Sequence, residues 1–162
     1  MPITSIHLQR RSLAAMVAGV AIITGSPAQA ASSAIFTPIS GLALDGYDTV
    51  AFFTQGRPAR GDARFEGIWQ GARWRFSTQD HLNRFLAEPA RFAPQYGGYC
   101  AWAVGARNAL AASDARYWRI VGGKLYVNFD ASVQAQWVRD IPGFILAADR
   151  NWPAILTRCA GC

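Results

Sequence analysis

The sequence predicts a small single α+β domain behind an export segment. Two short runs rich in aromatic and β-branched residues close on Gln70-Gly71 and on Gly122-Gly123, and each pair of runs reads as a β-hairpin. Polar capping residues precede apolar residues at i, i+3 and i+4 spacing, which supplies several short helices. Hairpins and short helices in one chain of this length give the α+β class.

The first thirty residues read as a cleavable signal peptide and not as part of the fold. His7-Leu8-Gln9-Arg10-Arg11 is a basic start, Leu13 to Ile23 is apolar and uncharged, and Ala28-Gln29-Ala30 is a small-residue cleavage site. The apolar run is shorter than the roughly 20 residues that span a bilayer, so no stable membrane anchor is expected after processing. Arg10-Arg11-Ser12-Leu13 also resembles a twin-arginine signal, and both export routes stay open. Either route implies a periplasmic or secreted protein. Cleavage removes Arg10 and Arg11 and lowers the formal charge from +6 to +4. The remaining arginines form no basic run, which argues against a nucleic-acid partner.

Ala31 to Pro38 is small and polar and reads as a disordered leader, so the domain is set at residues 39–154. Leu44-Asp45-Gly46-Tyr47-Asp48 is a turn cluster, and Asp48 is a good N-cap for a short helix over Thr49–Phe53. Gln55-Gly56-Arg57-Pro58 breaks that helix. The first hairpin runs from Phe65 to Phe76, with Trp74 and Phe76 on its buried face. Ser77 or Thr78 then caps a helix with Leu82, Phe85 and Leu86 as its apolar stripe. Glu88-Pro89 ends it, and Ala90 to Ala93 forms one more helical turn. Gly97-Gly98 permits a sharp bend, and Tyr99 to Val104 is a buried segment of open type. The second hairpin spans Tyr117 to Asn128. Asp130 or Ser132 caps a helix carrying Val133 and Trp137, and Ile141-Pro142 separates it from another carrying Phe144, Ile145 and Ala148. Asn151-Trp152-Pro153 introduces a last turn, and residues 155–162 form a tail. No internal repeat is evident.

Several of these pieces, in this order, resemble the YHS-domain family in its exported, single-domain branch. They are Asp45-Gly46-Tyr47-Asp48-Thr49-Val50-Ala51-Phe52-Phe53, Trp74-Arg75-Phe76-Ser77, the helix exit Phe85, Pro89 and Phe92, and Tyr96-Gly97-Gly98-Tyr99-Cys100-Ala101. Gly123-Lys124-Leu125-Tyr126-Val127-Asn128 and Ala148-Asp149-Arg150-Asn151-Trp152-Pro153 complete the likeness. The resemblance implies a treble-clef-like module that handles a metal ion. Metal-associated members carry cysteines in the opening turn and after the aromatic strand; this chain has Asp45, Asp48 and Ser77 there.

Six residues are candidate metal ligands, for copper or zinc. Cys100 is the one thiol inside the domain, either a buried small hydrophobe or a ligand beside the glycine bend. His81, the only histidine after processing, is either a solvated helix residue or a ligand with Cys100 and an aspartate. Asp45 and Asp48 serve turn and cap chemistry or form a carboxylate pair for a hard metal. Cys159 and Cys162 form a terminal CxxC, read as a disulfide, a frayed tail, or thiolates for a soft ion together with Cys100. Three functions follow: non-catalytic metal binding or trafficking, a metal-free small-ligand or protein-interaction module, and a thiol-disulfide oxidoreductase. There is no P-loop, dinucleotide fingerprint or recognisable Ser-His-Asp order, so any histidine chemistry must run through His81.

Overall fold

A computed structural model describes residues 34–159 of this chain. The expected signal peptide at 1–30, the start of the leader and Cys162 lie outside the described residues. Within them the fold is a small mixed α+β domain. Its element order is α1 (Thr49–Thr54), β1 (Asp62–Trp69), β2 (Ala72–Phe76), α2 (Gln79–Ala87), α3 (Pro89–Phe92), α4 (Ala101–Arg107), β3 (Asp114–Val121), β4 (Lys124–Asn128), α5 (Ala131–Trp137) and α6 (Ile141–Cys159). Tight 3-10 turns at Ala43–Gly46 and Gln95–Gly98 precede α1 and α4. β1 pairs with β2 and β3 with β4, both antiparallel, in two separate two-stranded sheets.

The described residues contain an internal repeat that the sequence pattern hides. Residues 42–92 and 94–144 follow one another through the same elements at a constant offset of 52 positions, without insertion or deletion (Asp48 to Cys100, Asp62 to Asp114, Gly71 to Gly123). The ladders coincide: Asp62↔Phe76 answers Asp114↔Asn128, and both hairpins carry a register shift in the next stretch. Isolated bridges coincide too, Leu42↔Arg73 with Pro94↔Leu125. So do the positive-φ positions: Leu44 with Tyr96, Asp45 with Gly97, Gly56 with Asn108, and Gln70-Gly71 with Gly122-Gly123. Both hairpin turns have φ > 0 at both central residues, the type I′ geometry that matches strand twist.

Each copy has its own core, and a third cluster ties the copies together. Trp74, Phe76 and Phe85 lead the first cluster; Tyr126, Trp137 and Ile155 lead the second. The third joins Leu44 and Phe52 of the first copy to Ala115, Leu125 and Val127 of the second. Phe52 meets Trp118 edge-on at 5.0 Å across that junction, the favoured geometry for an aromatic pair.

Three local expectations are corrected. The leader is not free of the fold: Ile35 is buried in the first core cluster, and the Phe36 N–H donates to Gly97 O at 2.8 Å. Leu86, expected on the apolar stripe of α2, is exposed, because Leu82 and Phe85 already cover the hairpin face. Asn151-Trp152-Pro153 does not open a new turn; α6 runs through it to Cys159. A mid-helix proline removes one backbone bond at a cost of about 3 kcal/mol or more. Burial of Ile155 and packing of Trp152 in the second core offset that cost. Asn151 also donates to Val104 O and Gly105 O, closing the end of α4. Pro142, by contrast, sits in the first turn of α6, where its missing N–H costs nothing.

Gly105 is the point where α4 and α6 touch. A Cβ there would stand 2.5 Å from Phe144 O, against backbone that has no side chain to rotate away. Gly105→Ala is expected to destabilise the protein by about 1–3 kcal/mol, the usual range for overpacking. A thermal melt unchanged from the parent would refute this contact.

Candidate functional site

The most densely bonded polar group in the fold is the Asp48 carboxylate. Asp48 ends the turn ahead of α1 in extended conformation, which places its side chain over the first N–H groups of the helix. Oδ1 accepts from Val50 N–H at 2.9 Å and Ala51 N–H at 3.2 Å. Oδ2 accepts from Ser77 N–H at 2.8 Å and from the Ser77 hydroxyl at 2.6 Å. The same Oδ2 lies 2.6 Å from His81 Nδ1. Asp48 is fully buried and His81 nearly so. The carboxylate therefore joins α1, the end of β2 and α2 at one point. On the far side of the imidazole, Nε2 lies 3.3 Å from Thr54 Oγ1, the hydroxyl at the end of α1.

His81 is thus not the solvated helix residue that its polar neighbours suggest. Thr78, not Ser77, caps α2 through His81 N–H, which turns the ring of His81 inward toward Asp48. Both ring nitrogens are engaged within the protein. Asp45 and Asp48 do not form a pair. Leu44 and Asp45 both adopt left-handed φ in the turn between them. Asp45 is left exposed and pairs with Arg60 at 3.1 Å, while Asp48 goes to the interior.

Cys100 occupies the position in the second copy that Asp48 holds in the first. It is buried, and its Sγ donates to Asn128 Oδ1 at 3.6 Å. Burial pushes the Cys100 thiol up from its ordinary range, and nearby backbone N–H groups oppose this only partly. Asn128 caps α4 in its place: Oδ1 accepts from Trp102 N–H at 3.0 Å, and Nδ2 donates to Gln134 Oε1 at 2.6 Å. Trp102 is the counterpart of Val50, so the same helical N–H is capped in both copies by different residues.

A second feature lies between the copies. A cavity of about 500 Å³ is lined by Leu44, Asp45, Tyr47 and Arg60 from the first copy, by Ala112 to Arg116 from the second, and by Phe36, Pro38, Ile39 and Ser40. The Arg60 guanidinium stacks over the Tyr47 ring at 4.0 Å and bonds Asp45 O and Oδ2 through Nη1. Arg116 grips Asp114 through Nε and Nη2. The Arg116 bonds, with a smaller contribution from the Arg60 charge, hold the Asp114 carboxyl below its ordinary range.

Of the expected ligands whose side chains are described, Asp48 and His81 meet, while Asp45 pairs with Arg60 and Cys100 lies against Asn128. Among the described residues no three His, Cys, Asp or Glu side chains stand together as a metal-holding group. Cys159 is the last residue of α6, and Cys162 lies outside the described residues. Ser77, Thr54, Asn128, Arg60 and Arg116 carry the polar chemistry that the sequence reading did not assign. Only Ser77 had a local signal, as a helix cap. No helix among the described residues is long and apolar enough to cross a membrane. Compared with known family models, with curated proteins and with solved structures, the chain has no match.

Two outcomes follow. Asp48→Ala removes a cap and strands the Ser77 hydroxyl and His81, so stability should fall by at least about 2 kcal/mol in a denaturant melt. Loss of less than half that would show the cluster to be dispensable. Cys100 in the native protein should resist alkylation through the pH range where ordinary thiols react. Its raised pKa means that this contribution to stability is intact below the unfolded thiol's pKa and fades as pH rises through the folded value. Peptide mass mapping that finds Cys100 alkylated in the native protein as fast as in urea would contradict its burial.

Proposed function

We propose that this chain is an exported YHS-type module that binds a small carboxylate-bearing molecule in the cavity between its two copies. The observation that carries the reading is the pair of arginines facing one cavity with N–H groups to spare. A guanidinium has five donors in a fixed fork. Arg60 spends Nη1 on Asp45, and Arg116 spends Nε and Nη2 on Asp114. Nε and Nη2 of Arg60 and Nη1 of Arg116 remain for a ligand oxygen. The apolar wall of Phe36, Leu44 and Tyr47 suits an aromatic or aliphatic body behind the carboxylate. The motif order given above supports the family reading, and the signal-like residues 1–30 support export.

Metal trafficking has less support. Cys100 would be its centre, and that thiol is buried against an amide oxygen that already caps a helix. The imidazole and the Asp48 carboxylate are likewise engaged with internal partners.

The test is a titration of residues 31–162 with benzoate, phenylacetate and hexanoate, followed by backbone amide chemical shifts. Shifts should cluster at Tyr47, Arg60 and Ser113 to Arg116, and Arg60→Ala should weaken binding at least tenfold. If none of the three acids moves those amides at millimolar concentration, the reading fails.

A further inference from the structure

The two copies act as an internal control on what the fold itself requires. Asp48, Thr54, Ser77 and His81 are interlinked in the first copy; their counterparts in the second are Cys100, Ala106, Phe129 and Val133. The same backbone therefore forms without any of the four polar groups, since the helix cap that Asp48 provides comes from Asn128 instead. A buried carboxylate, a nearly buried imidazole and two hydroxyls were placed in one copy only, and burying polar groups carries a desolvation cost. The fold alone does not account for them.

Their geometry has a chemical reading. The network assigns the proton of neutral His81 to Nδ1, which donates to Asp48 Oδ2 at 2.6 Å. Nε2 then has a free lone pair, and the Thr54 hydroxyl lies 3.3 Å from it. The Thr54 hydroxyl proton has two acceptors within reach, Nε2 and Val50 O at 3.1 Å, and a turn about one bond moves it between them. Thr54 is exposed and opens on a separate cavity of about 250 Å³, lined also by Phe53, Phe92, Arg84, Arg91 and the acidic Glu88. Arg84 and Arg91 are each tied to one carboxylate, Asp80 and Glu88, and both are more than half exposed. Hydroxyl, imidazole and carboxylate thus stand in line, with the hydroxyl facing the cavity and the base behind it. Such an arrangement is recognised by geometry and roles, not by order in the chain.

We propose that Thr54 is a nucleophile for small acyl esters, with His81 as its general base, Asp48 as the group that orients the imidazole, and Arg84 and Arg91 as holders of an anionic acyl chain. Thr54 Oγ1 attacks the ester carbonyl carbon while its proton passes to His81 Nε2. The tetrahedral adduct breaks its bond to the alcohol oxygen, which leaves with that proton and yields acyl-Thr54. Water then attacks the acyl carbon, gives its proton to Nε2, and the acid departs as the hydroxyl is restored. No oxidant, metal or cofactor enters the balance.

The full chain is tested with para-nitrophenyl acetate and para-nitrophenyl hydrogen succinate, following nitrophenolate release and intact mass. The expected result is an acyl adduct mapped to Thr54, formed faster with the succinyl ester. Thr54→Ala should abolish adduct and release while the protein still folds, because the second copy forms the same helix with alanine at that position; Thr54→Ser should retain both. His81→Gln should slow acylation by about 10²–10⁴-fold, the usual worth of a general base. Arg84→Ala with Arg91→Ala should raise KM for the succinyl ester more than for the acetyl ester. Absence of an adduct at Thr54 with both esters, or release in Thr54→Ala equal to the parent, overturns the proposal. Neither outcome bears on the junction cavity, whose residues are not touched.

Discussion

A two-stranded sheet offers one hydrogen-bonded partner per strand, and an isolated hairpin is marginal in water. Both sheets here are of that kind, so the stability of the domain depends on what covers them. Within each copy the cover is a helix and a 3-10 turn. Across copies it is the cluster of Leu44, Phe52, Ala115, Leu125 and Val127. Leu125 and Val127 lie on β4 while Tyr126 between them faces the second core. One strand thus serves two clusters through the alternation of its side chains. β4 thereby ties the second core to the junction cluster that Leu44 and Phe52 of the first copy share.

The turn that leads into α1 and α4 sets a common problem with two solutions. In both copies a left-handed 3-10 turn delivers the chain to a short helix, whose first N–H groups need acceptors. The first copy solves this locally: Asp48 is the N-cap and bonds the N–H groups that follow it. The second solves it at a distance, with Asn128 reaching from the end of β4. Once Asn128 carries the cap, position 100 has no need of an oxygen and takes a small apolar thiol. Cys100 is therefore best explained by the cap that Asn128 took over. The same register places Ser77, the counterpart of Phe129, where its N–H and hydroxyl bond the carboxylate that holds His81.

Much of the fold was legible because its signals are local. Gln70-Gly71 and Gly122-Gly123 fix the hairpins through positive φ at both positions. Asp48 and Asp130 declare their helices through side chains that accept from N–H groups two and three residues on. The repeat was not legible, because the copies share only ten positions between 42–92 and 94–144, mostly in the turns and at Asp62-Ala63-Arg64 with Asp114-Ala115-Arg116. Core counterparts differ in kind: Phe76 answers Asn128 and His81 answers Val133. The burial of His81 was hidden for a related reason. Thr78, Gln79, Asp80, Asn83 and Arg84 around it are polar and exposed, and what draws it inward is an aspartate 33 positions earlier. The candidate site was thus half visible: Asp48 and His81 stand out as residues, but their pairing is a tertiary fact. Pro153 misled in the opposite sense, since a strong local breaker was overruled by the packing of Trp152 and Ile155.

The repeat also explains why the larger cavity lies where it does. Counterpart positions Asp45 and Gly97 sit in the same left-handed turn, but only Gly97 lacks a side chain. A Cβ at Gly97 would collide with Ala34 O, so glycine there admits the incoming chain, and Phe36 settles against Tyr99 at 5.2 Å. The second copy's turn is thereby covered by the protein's own N-terminal segment. Asp45 has a side chain; its carboxylate draws Arg60 across the ring of Tyr47, the counterpart of Tyr99. One surface of a duplicated turn is thus closed by an aromatic residue of the chain itself, while the other carries a guanidinium and opens on solvent. The difference between Asp45 and Gly97 makes the two turns unequal, and the cavity with its two arginines lies on the side of Asp45.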